Sequence, residues 1–108
     1  MSNDVQTKID ELVKNNRIVL FMKGTPDFPQ CGFSMRAVNI VRSLGTPFAT
    51  VNVLDDFDVR EGIKAYSDWP TIPQLYIDGQ FIGGSDIMME MFQGGELQKL
   101  ITPDESGA

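Results

Sequence analysis

The sequence predicts an α/β fold, a mixed four-stranded sheet with helices on both faces, in the order α-β-α-β-α-β-β-α. Two observations predict it. A strand, a helix and a second strand follow one another within about 35 residues, which is typical of a βαβ unit with parallel strands. Later, Asp78-Gly79 separates two short apolar runs, and this dipeptide is a strong signal for an antiparallel hairpin.

The first half of the chain supplies a helix and the βαβ unit. Val5, Ile9 and Leu12 recur on one helical face. A continuous apolar run rich in β-formers follows, which predicts a strand buried on both faces. A loop with one glycine and two prolines leads to the next helix, which Gly45 ends. The predicted helix, strand, loop, helix and strand occupy residues 4–14, 17–23, 24–30, 33–44 and 48–53.

The second half supplies a crossover helix, the hairpin and two helical pieces separated by Gly94-Gly95. The last long helix contains several methionines, which we expect to pack in the core rather than to bind metal. These elements occupy residues 55–66, 74–77, 80–83, 85–92 and a short piece that reaches Ile101. We expect a single domain over residues 1–101 and a flexible C-terminal tail over residues 102–108.

Composition and charge exclude several classes of partner. The net charge of −6 argues against a nucleic acid, which would call for a clustered basic surface. No apolar run is long enough to cross a bilayer, and the N-terminus lacks the basic and apolar regions of a signal peptide. We therefore expect neither nucleic acid nor membrane as a partner, and a cytoplasmic location. A processed organellar protein stays an alternative, because it would have lost its transit segment.

One cysteine and no histidine limit the chemistry. They exclude an internal disulfide, a Cys-His or Ser-His nucleophile pair and the usual zinc sites within this sequence. Cys31 follows a proline-rich loop and opens a helix, whose free N–H groups and dipole favour a thiolate over a buried structural cysteine. Ser34 stands where a second cysteine would complete Cys-x-x-Cys. Such a site can form a mixed disulfide but no internal one.

Four separated segments carry short motifs. They are Lys23-Gly24-Thr25-Pro26, Pro29-Gln30-Cys31-Gly32-Phe33-Ser34, Trp69-Pro70-Thr71-Ile72-Pro73 and Gly83-Gly84-Ser85-Asp86. These motifs resemble those of the monothiol glutaredoxins of the CGFS type. The resemblance extends over nearly the whole chain, about residues 5–100, and the order of several motifs makes it specific. It implies a thioredoxin-like fold, in agreement with the order of helices and strands predicted above.

The resemblance implies roles for Cys31 and for three basic residues. Cys31 would be the thiolate that ligates iron or forms a mixed disulfide. Lys23, at the end of the first strand, would favour that thiolate and meet a glutathione carboxylate. Arg60 and Lys64 lie four residues apart on one helix face and would clamp the glycyl carboxylate of glutathione. From the residues alone, these basic side chains are more typical of an ordinary solvated surface.

The resemblance also places two backbone segments at the glutathione site. Pro73 would be a cis proline, and the exposed N–H and C=O of Ile72 would pair with the tripeptide like an added strand. The backbone N–H groups of Ser85 and Asp86 would hold the γ-glutamyl carboxylate, and Asp86 would hold its ammonium. From the residues alone, a strand-opening proline and a plain helix cap explain the same segments. The residues concerned are Thr71, Ile72, Pro73, Gly84, Ser85 and Asp86.

The function that the resemblance implies is the carriage of a labile 2Fe–2S cluster. Such a cluster usually needs four thiolates, so two copies of Cys31 and two glutathiones would hold it in a homodimer that is a monomer when apo. Exchangeable ligands suit transfer to apo iron–sulfur acceptor proteins, and a BolA-like protein is an expected partner. Two alternatives stay open. One is a glutathione-dependent oxidoreductase that removes glutathione from proteins, and the other is an iron or redox sensor acting through the BolA-like partner.

Overall fold

A computed structural model describes the backbone of residues 2–101 and their side chains from Asp4 onward. The predicted flexible tail, residues 102–108, lies outside the described part. No helix within residues 2–101 is long and apolar enough to cross a membrane. The helices and strands are α1 (Ser2–Asn15), β1 (Ile18–Met22), α2 (Gly32–Ser43), β2 (Ala49–Asn52), α3 (Phe57–Ser67), β3 (Gln74–Ile77), β4 (Gln80–Gly83), α4 (Ser85–Gln93) and α5 (Glu96–Ile101).

The four strands form one mixed sheet in the spatial order β2-β1-β3-β4. Strands β1 and β2 are parallel, whereas β1 with β3 and β3 with β4 are antiparallel. Asp78 and Gly79 both have positive φ, 52° and 81°, as expected of a two-residue hairpin turn. The predicted βαβ unit and hairpin are therefore confirmed. The carboxyl ends of β1 and β2 lie at the same edge of the sheet, where the following helices begin.

Helices cover both faces of the sheet and bury a core on each. Every residue of β1 is buried, because its side chains alternate between the two cores. Leu20 packs with α2, α4 and α5 on one face, and Phe21 packs with α1 and α3 on the other. Met88 of α4 is fully buried in the first core, and Met89 and Met91 pack against it, so the predicted packing of these methionines is confirmed.

The start of α3 differs from the prediction by two residues. A short 3-10 turn, Val53–Asp55, follows β2, and α3 begins only at Phe57. The cause is polar capping, because the Asp56 carboxylate accepts hydrogen bonds from the N–H groups of Asp58 and Val59 at 3.0 and 3.2 Å. The sequence contains two adjacent aspartates, and periodicity alone did not reveal which one caps the helix.

Candidate functional site

Cys31 lies at the junction between the loop after β1 and helix α2. It is the N-cap residue, with extended backbone angles of φ −154° and ψ 137°. Its carbonyl accepts the first hydrogen bond of the helix from the Met35 N–H at 2.9 Å. The side chain is half-buried, so the thiol is neither enclosed in the core nor fully solvated. This position agrees with the reactive cysteine that the sequence predicts.

The surroundings of Cys31 lower the pKa of its thiol. The largest cause is a hydrogen bond from the Ser34 backbone N–H, and the Phe33 N–H, the positive charge of Lys23 and the Ser34 hydroxyl act in the same direction. Partial burial opposes them, because it disfavours a charged sulfur. The donors belong to the first turn of α2, where backbone N–H groups have no partner within the helix. The thiolate is therefore the form that this helix N-terminus favours.

Ser34 occupies the place of a second redox cysteine. Its side chain links the end of β1 to α2 by a hydrogen bond. Its side chain is fully buried, and its Oγ accepts a hydrogen bond from the Lys23 N–H at 3.0 Å. The residue therefore fixes the end of β1 against the first turn of α2, in addition to favouring the Cys31 thiolate.

The loop between β1 and Cys31 is held at both ends. At its start, the Gly24 N–H donates to the Asn52 Oδ1 of β2 at 2.9 Å. At its end, the Gln30 N–H donates to the Lys23 carbonyl at 2.9 Å. Gly24 and Pro29 also form an isolated antiparallel bridge. These bonds close the loop on itself and present Cys31 at a defined place.

All ten predicted site residues line one open cleft of about 520 Å³. This volume lies within the range of small-molecule sites. Four further residues line it, and all four present apolar or aromatic side chains. The predicted residues are Lys23, Cys31, Arg60, Lys64, Thr71, Ile72, Pro73, Gly84, Ser85 and Asp86, and the further ones are Phe33, Trp69, Pro70 and Ile87.

One wall of the cleft carries the positive charge of α3. The Arg60 Nε is buried and has no hydrogen-bond partner among residues 2–101. The Lys64 Nζ lies 3.3 Å from the Glu61 carboxylate, and its side chain is 32% exposed. Arg60 and Lys64 both line the cleft, and their positive charges favour an incoming carboxylate. This wall is therefore suited to a carboxylate, which would compete with Glu61 for Lys64.

Another part of the cleft lining consists of the backbone around Pro73 and at the start of α4. The Ile72-Pro73 peptide bond is cis, as predicted. Gly84 precedes α4, and no side chain within residues 4–101 caps that helix. A Cβ on Gly84 would lie 3.4 Å from the Pro73 carbonyl oxygen and 3.7 Å from the Trp69 Nε1, so even a small side chain would narrow the cleft. The uncapped N–H groups at Ser85 and Asp86 suit an anion.

We expect the alkylation rate of Cys31 to reach half its plateau at a lower pH in the folded protein than in urea. The reason is that the fold lowers the pKa of the thiol, so the thiolate appears earlier as pH rises. In Lys23→Met the midpoint should move up, because a positive charge that favours the thiolate is lost. Iodoacetamide labelling against pH measures this. Lys14→Met, a change on α1 away from the cleft, should leave the midpoint in place, and equal midpoints in folded and unfolded wild type would contradict the account.

Comparison with known proteins gives one consistent result. The glutaredoxin family profile matches residues 18–82, more than half of the chain. An uncharacterized monothiol glutaredoxin ycf64-like from Synechocystis is 54% identical over 101 residues, with 94% of each chain covered. Mitochondrial monothiol glutaredoxin-5 of Lachancea kluyveri is 49% identical over 104 residues, which cover 94% of this chain and 73% of the relative. The crystal structure of a buckwheat glutaredoxin–glutathione complex superimposes with a TM-score of 0.83 at 26% identity, covering 94% of this chain and 90% of that one. The chain therefore belongs to the glutaredoxin family, and within it to the monothiol glutaredoxins.

Proposed function

We propose that the cleft binds glutathione with its sulfur beside Cys31. Glutathione has a carboxylate at each end, and the cleft offers two places for an anion. Arg60 and Lys64 supply one, and the uncapped start of α4 at Ser85 and Asp86 supplies the other. The buckwheat glutaredoxin of the same fold was crystallised as a glutathione complex, which supports the same ligand here.

We propose further that two protomers share a 2Fe–2S cluster as their cargo. The observation that carries this proposal is that Cys31, the sole cysteine, lines the same cleft as the two anion sites. Four thiolates are usually needed for such a cluster, and one chain has one to offer. Two chains with two bound glutathiones complete the set. Cys31 is half-buried at the cleft, and its exposed part supports a thiol that is open to ligands from outside the chain.

Transfer of the cluster follows from the nature of these ligands. Half of the thiolates belong to small molecules that dissociate without unfolding the protein, so an acceptor can take the cluster at little structural cost. We propose apo iron–sulfur proteins as acceptors, a homodimer when loaded, a monomer when apo, and a BolA-like protein as a partner that replaces one protomer. A cytoplasmic location remains a prediction, and one of the relatives reported above is named as mitochondrial.

A glutathione-dependent oxidoreductase is the second candidate function, and the lowered pKa of Cys31 favours it. The thiolate would attack the glutathione sulfur of a protein mixed disulfide, form a Cys31–glutathione disulfide and release the protein thiolate. A second glutathione thiolate would then attack that disulfide, release Cys31 and leave oxidised glutathione. No second cysteine is needed, so Ser34 is compatible with this reaction.

Anaerobic reconstitution with iron and sulfide, with and without glutathione, separates the two candidates. We expect a brown dimer only when glutathione is present, and a colourless monomer in its absence, because the chain alone lacks the thiolates. Visible absorption and size-exclusion chromatography measure both properties. A colourless product in both samples, together with rapid turnover of a glutathionylated protein substrate, would instead support the oxidoreductase.

A further inference from the structure

We propose that Gln74, which lies beneath the cleft and does not line it, is a positioning residue that fixes the wall formed by residues 69–71. The expected effect of Gln74 on glutathione binding rests on the proposed function. Its expected effect on the wall rests on the side-chain contacts of Gln74 alone. No motif in the sequence singles out this residue.

The amide of Gln74 holds two carbonyl groups of an exposed segment. Gln74 is fully buried at the start of β3. Its Nε2 donates to the Trp69 carbonyl at 3.2 Å and to the Thr71 carbonyl at 3.1 Å. Trp69, Pro70 and Thr71 are exposed and line the cleft. One buried side chain therefore fixes both ends of this segment from below.

Tyr76 fixes the orientation of that amide. Its hydroxyl donates to the Gln74 Oε1 at 3.2 Å, within the buried core. An amide with its oxygen so engaged turns its nitrogen toward Trp69 and Thr71, and a flipped amide would lose both contacts. Burial raises the pKa of Tyr76 to about 12, so its hydroxyl remains a donor throughout the neutral range.

Gln74 lies at a position in the strand where a polar side chain is fully buried. Gln74 opens β3, the next two residues, Leu75 and Tyr76, are buried, and the Gln74 backbone pairs with Phe21 of β1. A polar side chain buried in such a place costs free energy unless its groups are paired. Here the pairing is with the cleft wall, so the desolvation cost is offset by contacts that shape the cleft.

The decisive variant is Gln74→Met, which keeps a long unbranched side chain and removes both donors. We expect glutathione, titrated calorimetrically into reduced protein, to bind roughly tenfold more weakly, as two hydrogen bonds that order the wall are lost. Trp69 is the sole tryptophan and is 39% exposed against Phe81. Quenching of its fluorescence by acrylamide should therefore increase. The alkylation midpoint of Cys31 should stay unchanged, because no contact of Gln74 reaches the thiol.

Tyr66→Phe is the matched control. It removes a tyrosine hydroxyl that donates to Asp10 at 2.6 Å, between α3 and α1 and away from the cleft. It should lower stability without changing acrylamide quenching or glutathione affinity. If Gln74→Met does not fold, Tyr76→Phe takes its place, with a smaller rise in quenching expected.

Unchanged quenching and unchanged affinity in the folded variant would overturn the positioning role. A wild-type protein that does not bind glutathione would contradict the proposed function, while the Trp69 signal would still decide whether Gln74 fixes the wall.

Discussion

Cys31→Ser is expected to abolish cluster binding and cluster-dependent dimerisation completely. The substitution removes the sole protein thiol, and a serine hydroxyl does not replace a thiolate as a soft iron ligand. Since Cys31 is half-buried at a helix start and its side chain has no role in the core, the fold should be retained. After reconstitution with glutathione, visible absorption and size-exclusion chromatography should show a colourless monomer.

Ser34→Ala serves as the control for Cys31→Ser, since it changes a neighbouring oxygen and leaves the ligand in place. It leaves the partly buried Lys23 N–H without its acceptor, which should cost about 1 kcal/mol of stability. It should also raise the pKa of Cys31, because the Ser34 hydroxyl favours the thiolate. The variant should nevertheless retain some colour. A brown Cys31→Ser protein, or a Ser34→Ala protein as colourless as Cys31→Ser, would contradict the assignment of Cys31 as the ligand.

Gly24→Ala is expected to be the most destabilising single change in the loop that carries Cys31. Gly24 has φ +94°, where an L side chain is strained, and a Cβ there would lie 2.5 Å from the Phe28 carbonyl oxygen and 2.6 Å from the Gln30 nitrogen. Both contacts are with backbone, so the loop must shift as a whole. The two effects together should cost on the order of 3 kcal/mol. Urea unfolding measures this, and the alkylation profile of Cys31 should change with it.

Gly45→Ala separates the two causes. Gly45 also has a positive φ, +74°, but a Cβ there meets nothing within 4 Å among the described residues. This variant therefore carries the backbone strain without the collision, and should cost about 1 kcal/mol. It should leave the alkylation of Cys31 unchanged. Equal losses of stability in the two variants would show that the loop moves away from an added Cβ at Gly24 without further cost. That result would disagree with the hydrogen bonds that hold the loop.

Much of the fold was predictable because the strongest local signals agreed with tertiary packing. The apolar run of β1 predicted burial on both faces, and Asp78-Gly79 predicted the hairpin turn. The helix starts were harder, because a cap depends on one side chain reaching back to the backbone. Asp56 rather than Asp55 does so before α3, and no apolar period distinguishes them. The site residues of the four motifs came together because these motifs lie at strand ends and helix starts, whereas Arg60 and Lys64 reach the cleft from α3.

The residues that support the site from below were not predicted. Asn52 holds Gly24, and Gln74 holds Trp69 and Thr71, through contacts distant in sequence or hidden in a strand. The available signal was a polar residue at the edge of a buried segment, as in Gln74 before Leu75. Such a residue has many explanations until its hydrogen-bond partners are known. Long-range polar contacts are thus the part of the site that sequence patterns do not reveal.

The central claim is that one chain supplies one sulfur and glutathione supplies the rest, and native mass spectrometry of the reconstituted protein tests it most directly. The account predicts a species of two chains, two irons, two sulfides and two glutathiones, which loses its metal when glutathione is removed. A loaded species without glutathione, or a single chain that holds the cluster, would contradict it.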